Sequence, residues 1–189
     1  DNYGKTVLSE AVNKVDGMMI RFLIENGASI NHINSSGRTV IQDAALEENE
    51  KVFNILMSQN PDLSLKDHYG KTVLFDAIEG GNLNIVREIV NNIDDINIVD
   101  NNGQSGLFYS VLKEEDSITK FLIENGINAS ILDKKRQTAL FNALILGARN
   151  LPTIELLLEN EVKLNTKDYA DKTLLDEILK INAISKKTS

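Results

Sequence analysis

Asp67-His68-Tyr69-Gly70-Lys71-Thr72-Val73-Leu74 decides the fold, because the chain keeps returning to it. Asp1-Asn2-Tyr3-Gly4-Lys5-Thr6-Val7-Leu8 is nearly the same string, 66 residues earlier. Between them stands Asn34-Ser35-Ser36-Gly37-Arg38-Thr39-Val40-Ile41, and after them Asp100-Asn101-Asn102-Gly103-Gln104-Ser105-Gly106-Leu107. Two weaker copies follow, Asp133-Lys134-Lys135-Arg136-Gln137-Thr138-Ala139-Leu140 and Asp168-Tyr169-Ala170-Asp171-Lys172-Thr173-Leu174-Leu175. The starts at 1, 34, 67, 100, 133 and 168 give a period of 33, with 35 for the last interval. A fixed period of this size signals stacked supersecondary units, each burying its apolar face on its neighbours.

The first unit shows the plan. Asp1 to Lys5 has turn chemistry, with Gly4 free to take positive φ. Thr6 is the natural N-cap of a short helix whose apolar residues are Val7, Leu8, Ala11 and Val12. Asp16 opens a second helix with Ile20, Leu23 and Ile24 on its core face, and Asn26-Gly27 closes it. These roles recur in columns. The second-helix cap reads Asp16, Asn49, Asn82, Glu115, Asn150, and its first core position reads Ile20, Phe53, Val86, Thr119, Ile154. A small residue in the first helix, Ala11, Ala44, Ala77, Ser110 and Ala143, lets neighbouring helices approach closely; the sixth copy has Ile178.

This turn, helix, turn, helix unit resembles the ankyrin repeat, whose pattern is D-x-x-G-x-T-P-L-H-x-A and later G-A-x-x-N. Gly4 to Ala11, Gly27-Ala28-Ser29-Ile30-Asn31 and Gly70 to Ala77 match it, and the resemblance covers essentially the whole chain. It implies an all-α ankyrin-repeat solenoid of stacked helix-turn-helix units with β-hairpin fingers. The expected organisation is one domain, 1–189, with repeats 1–33, 34–66, 67–99, 100–132 and 133–167 and a C-terminal capping half-repeat at 168–189. The sequence departs from the pattern at two columns. Pro is replaced throughout, and the His column holds Ser9, Gln42, Phe75, Phe108, Phe141 and Asp176. The hydrogen bond that His gives in the family is therefore expected to be absent, with three Phe holding their repeats by packing. Gly147-Ala148-Arg149-Asn150-Leu151-Pro152 carries the two extra residues; a lengthened loop explains them, with Pro152 in the first turn of the next helix. Leu174, Leu175, Ile178 and Leu179 suggest a last helix, and Asp176, Glu177 and Lys180 give it a polar outside.

Composition narrows the function. The 28 acids against 20 bases leave a net charge of −8 and a pI near 4.8, which argues against a nucleic-acid phosphate backbone as partner. The absence of cysteine excludes disulfides, thiolate nucleophiles and Cys-ligated metals, and fits a reducing compartment. No apolar run approaches the roughly 18 residues of a membrane span, and nothing at the start resembles a signal peptide. The expected location is cytoplasmic, or a host cell's cytosol for a secreted effector. A first residue already at a repeat boundary suggests a fragment of a longer protein, and the abundance of Asn, Ile and Lys hints at an AT-rich genome.

Several motifs fail on spacing. Gly70-Lys71-Thr72 imitates a phosphate loop, but the required earlier Gly is Leu65. Asp100-Asn101-Asn102-Gly103 imitates a calcium loop, but its sixth and twelfth places are Ser105 and Val111. His32 and His68 occupy different places in the repeat and lack ligand spacing, so neither a zinc site nor a Ser-His relay is expected. Asn34-Ser35-Ser36 and Asn128-Ala129-Ser130 fit the glycosylation sequon, which a cytosolic array would not use. Leu23 to Asn31 looks like the asparagine-hydroxylation site of eukaryotic ankyrin repeats; Asn31 is expected simply to tie its loop. No catalytic, cofactor or metal site is assigned.

The resemblance implies a protein-binding module that grips its partner on a concave side built from finger tips and first helices. The fingers offer Asn2, Tyr3, Lys5; Ser35, Ser36, Arg38; His68, Tyr69, Lys71; Asn101, Asn102, Gln104; Lys134, Lys135, Gln137; and Tyr169, Lys172. The column four beyond the Thr cap reads Glu10, Asp43, Asp76, Tyr109, Asn142, Glu177, and the next reads Asn13, Leu46, Glu79, Leu112, Ile145, Lys180. Glu10, Asp43 and Asp76 face the finger cations Lys5, Arg38 and Lys71. They form either a charged groove for a partner or internal pairs that contribute roughly 0–1 kcal/mol each. The later repeats put Tyr109, Leu112, Ile145 and Leu146 where the first and third have Glu10, Asn13, Glu79 and Gly80, which marks either an interaction patch or local packing. The candidate partner-binding residues are Tyr69, Lys71, Asp76, Tyr109, Leu112, Asn142 and Ile145. The expectation is a non-enzymatic protein-interaction module, monomeric as an isolated domain, that binds neither nucleic acid nor membrane. The alternatives are the targeting domain of a larger enzyme or secreted effector, and a plain spacer without a hot spot.

Overall fold

The columns of caps read from the sequence become helix starts. In the computed structural model, which describes residues 5–147 and 151–160 with Thr173 and Asp176, ten helices run in pairs. They are α1 Val7–Asn13 with α2 Gly17–Glu25, α3 Val40–Leu46 with α4 Glu50–Met57, and α5 Val73–Gly80 with α6 Leu83–Val90. Then come α7 Gly106–Leu112 with α8 Asp116–Glu124, and α9 Ala139–Leu146 with α10 Leu151–Glu159. Thr6 Oγ1 accepts from the Ser9 N–H at 3.1 Å while Ser9 Oγ accepts from the Thr6 N–H at 3.0 Å, a capping box that satisfies two orphan donors. Asp16, Asn49 and Asn82 cap their second helices through the N–H groups of Met19, Val52 and Ile85. Glu115 stands at the same place without a side-chain cap. Pro152 lies in the first turn of α10. The expected roles of Gly4, of the cap Asn150, and of Leu174, Leu175, Glu177, Ile178, Leu179 and Lys180 lie outside the described residues.

The fingers are built from one turn used four times. Asn34, Asp67, Asp100 and Asp133 each accept two backbone N–H groups on Oδ1, from the residues two and four ahead, at 2.8–3.0 Å. Each also closes a backbone bond from its own N–H, as Asp67 does to the Lys71 carbonyl at 2.9 Å. The side chain thus takes donors that a hairpin would give to a facing strand. Among the described residues the expected β-hairpin pairing shrinks to a single bridge, Val99 to Ser105. Glycine is obligatory at the tip of the second finger. Gly37 has φ +79°, and a Cβ there would lie 2.6 Å from His68 Cδ2 and 2.7 Å from the His68 nitrogen.

The chain divides into two compact units, Asp1–Asp94 and Asp95–Ser189. In the first, α3 packs between α1 and α5, and α4 between α2 and α6. Its core holds Leu8, Ile20, Ile41, Phe53, Leu74, Phe75 and Ile89, with Ala11, Ala44 and Ala77 buried among them. The Asn31 side chain accepts the Asp62 N–H at 2.9 Å, so it ties loop backbone as expected. Val7 is 69% exposed and Met19 42%, whereas the equivalent Val40 and Val73, and Val52 and Ile85, are buried. In the second unit α7 packs on α8 and α9, and α10 on α8 and α9. Here the small-residue and core columns turn polar together. Thr119 Oγ1 donates to Ser110 Oγ at 2.9 Å, and Ser110 Oγ donates to the Leu107 carbonyl at 3.1 Å, so neither buried hydroxyl is left without a partner.

Candidate partner-binding site

In the first unit Arg38 is the organising charge. Its Nε meets Asp43 Oδ1 at 2.8 Å and its Nη1 meets Asp76 Oδ1 at 2.8 Å, with Asp67 Oδ2 at 4.0 Å. Gln42 Nε2 donates to Asp76 Oδ2 at 3.1 Å, closing the other side of the carboxylate. Asp76 is therefore 0% exposed. Burial raises its pKa to about 6, against the opposing pull of Arg38 and the Gln42 bond, and nearby Glu79 adds to the rise. Arg38 responds the other way. Partial burial works against its charge, but the two flanking carboxylates more than offset this and hold the guanidinium charged above its ordinary range. The two responses differ because Asp76 is wholly enclosed while Arg38 keeps some solvent and has two acids.

Asp76 must therefore be struck from the surface residues: a carboxylate with no exposed area and both oxygens engaged cannot touch a partner. Of the acid ladder, Glu10 pairs with Lys14 one turn away at 3.3 Å, and Asp43 and Asp76 converge on one Arg38. Lys71 Nζ meets Glu79 Oε1 at 2.9 Å, so the finger reaches the far column of the first helix. Tyr69, at the finger tip, is 69% exposed.

In the second unit the polar pairs give way to apolar surface. Leu112 on α7 is 48% exposed, Ile145 on α9 is 57% exposed, and Leu146 is exposed beside it. Asn142 is half-buried. Tyr109 is also half-buried; its hydroxyl donates to Asp100 Oδ2 at 2.8 Å and so pins its own finger to α7. The sites thus fall into two groups, Tyr69 and Lys71 in one unit and Tyr109, Leu112, Asn142 and Ile145 in the other. Asn2, Tyr3, Tyr169 and Lys172 of the predicted fingers lie outside the described residues.

A protein-family model for ankyrin repeats, in three copies, matches residues 74–168, half of the chain. The chain belongs to the ankyrin repeat family. Among solved structures it is similar to the ankyrin repeat domain of Bcl-3, a member of the IkappaB protein family, at 24% identity and a TM-score of 0.84. That match covers 94% of this chain and 79% of the other. The curated proteins contain no match. Ankyrin repeat domains are generally protein–protein interaction modules.

One ankyrin column behaves differently from expectation. In the second repeat the column where the family has His holds Gln42, and its Nε2 also donates to the Lys71 carbonyl of the next finger at 3.2 Å. Gln42 Oε1 at the same time accepts the Thr39 N–H at 2.9 Å, completing a capping box. The Thr39-x-x-Gln42 spacing announces that cap; the bond to Lys71, 29 residues on, has no signal in local sequence. Phe75, Phe108 and Phe141 fill the same column as buried apolar side chains.

Proposed function

We propose that this ankyrin repeat chain is a non-enzymatic protein-binding module whose partner contacts lie on its fingers and first helices. In the second unit they comprise Leu112, Ile145, Leu146 and the exposed edges of Tyr109 and Asn142; in the first, Tyr69 and Lys71. The observation that carries the reading is the exposure of Leu112 and Ile145, at equivalent places on the packed helices α7 and α9. Covering the exposed half of two such aliphatic side chains contributes about 1 kcal/mol each, a useful part of a partner's anchor. Glu79, at the same place in the third repeat, is satisfied by Lys71, whereas these two leave hydrocarbon in water.

The test is affinity capture from extract with the wild type and with Leu112→Asp/Ile145→Asp, read by quantitative mass spectrometry. Proteins retained by the wild type should be lost from the variant at an unchanged thermal midpoint. Equal retention would remove the face from consideration. A lowered midpoint would assign both side chains to packing.

A further inference from the structure

We infer that the second unit docks an acidic amphipathic segment of a partner protein, with apolar side chains laid on Leu112, Ile145 and Leu146 and carboxylates against the finger tip Lys134-Lys135-Arg136. This inference rests on the binding role proposed above and specifies the partner's chemistry.

The floor is the apolar face already described. The lip is a break in the pattern of the fingers. Ser35-Ser36-Gly37, His68-Tyr69-Gly70 and Asn101-Asn102-Gly103 occupy the tip in the earlier fingers, and Lys134-Lys135-Arg136 replaces them in the fifth. Three consecutive cations thus cluster at one turn of a chain whose net charge is −8. All three are exposed and make no ion pair among the described residues. The adjoining Asp133 makes no ion pair with them among the described residues; it is buried, and its Oδ1 takes two backbone N–H groups.

Backbone geometry adds a second observation. Gly37, Gly70 and Gly103 carry φ of 77–79°, and Arg136 takes the same left-handed place at 61°. A non-glycine residue is strained there, so the tip keeps its third cation at the expense of local comfort.

Finger and first helix are neighbours within each repeat, and the third repeat shows how the two can meet. The finger residue after the tip contacts the far helix column in the third repeat, as Lys71 does Glu79; the same two places are Gln104 with Leu112, and Gln137 with Ile145. The surface therefore offers hydrocarbon below and positive charge above, and its complement is a segment with aliphatic or aromatic residues beside Asp or Glu. A phosphate backbone would leave the floor uncovered and would meet an otherwise acidic chain.

The experiment pans a random peptide library displayed on phage against the full chain at physiological salt, then measures labelled consensus peptides by fluorescence anisotropy. Enriched peptides should combine acidic with aliphatic or aromatic residues. Lys134→Ser/Lys135→Ser/Arg136→Gly should weaken them about tenfold and flatten their salt dependence. Leu112→Asp should abolish binding, with Ile145→Asp taking its place if Leu112→Asp shifts the thermal midpoint. Neutral or basic consensus peptides, or acidic ones that bind the triple variant equally, overturn the acidic partner while loss with Leu112→Asp preserves the binding face. Failure to enrich any peptide, or indifference to both apolar substitutions, overturns the face itself. Single-stranded RNA or anionic vesicles bound by the wild type and released by the triple variant would make the tip a polyanion site and refute the inference.

Discussion

Substituting Asp76→Asn examines the charge network of the first unit directly. The carboxylate is enclosed by Arg38 and Gln42, and burial lifts its pKa from 3.8 to about 6. A carboxyl that binds its proton more tightly folded than unfolded stabilises the fold when protonated. That contribution is complete below pH 3.8 and disappears as the pH rises through about 6. With those two values, lowering the pH from about 7.5 to about 5 should add on the order of 1 kcal/mol to the wild type from this group alone. Asparagine keeps the shape and loses the titration. Urea unfolding followed by circular dichroism at both pH values, for wild type and Asp76→Asn, gives the difference of differences, in which carboxylates common to both proteins cancel. Arg38→Met supplies the complementary arm: it strands a buried carboxylate and should cost about 3–5 kcal/mol at neutral pH, and less in mild acid where the group takes a proton. Parallel pH profiles for wild type and Asp76→Asn, or an Arg38→Met deficit that grows in acid, would refute the reasoning.

Two further outcomes follow from buried and strained positions. Thr119→Val and Ser110→Ala, measured singly and together, should show a coupling of about 1 kcal/mol by thermal or urea unfolding, because each hydroxyl satisfies the other; additive effects would dissolve the pair. Val15 sits at φ 57°, a left-handed place that Gly81 fills in the third repeat. Val15→Gly should therefore stabilise by roughly 1 kcal/mol, since a branched side chain is strained there, and a fall in the urea midpoint would contradict this.

What the sequence makes legible here is whatever depends on position within one repeat. Thr6-x-x-Ser9 and Thr39-x-x-Gln42 announce their caps, the Asx residues announce their fingers, and Leu112 and Ile145 stand out because the first and third repeats have Asn13 and Glu79 in their column. What stays hidden depends on the particular neighbour. Glu10, Asp43 and Asp76 share one column yet pass from exposed to half-buried to buried. The difference lies in the repeat before: Asp76 is covered by Arg38 and Gln42, two long side chains from 34 to 38 residues upstream. No periodicity reports such a contact, because it arises from an exception to the period. The partner-side chemistry hides for the same reason. Arg136 in place of a fingertip glycine is a single irregular letter, and its weight emerges only with the torsion and exposure beside it.

The exposed apolar residues of the first repeat have an engineering consequence. Val7 and Met19 present outward the same residue positions by which Val40 and Val52 join their predecessor. A surface already shaped for its own kind dictates the angle and spacing of whatever is joined to it. A duplicate of residues 1–33 grafted directly ahead of Asp1 would keep the 33-residue period and meet hydrocarbon with hydrocarbon, so the chain could be lengthened as a ruler is, by whole divisions.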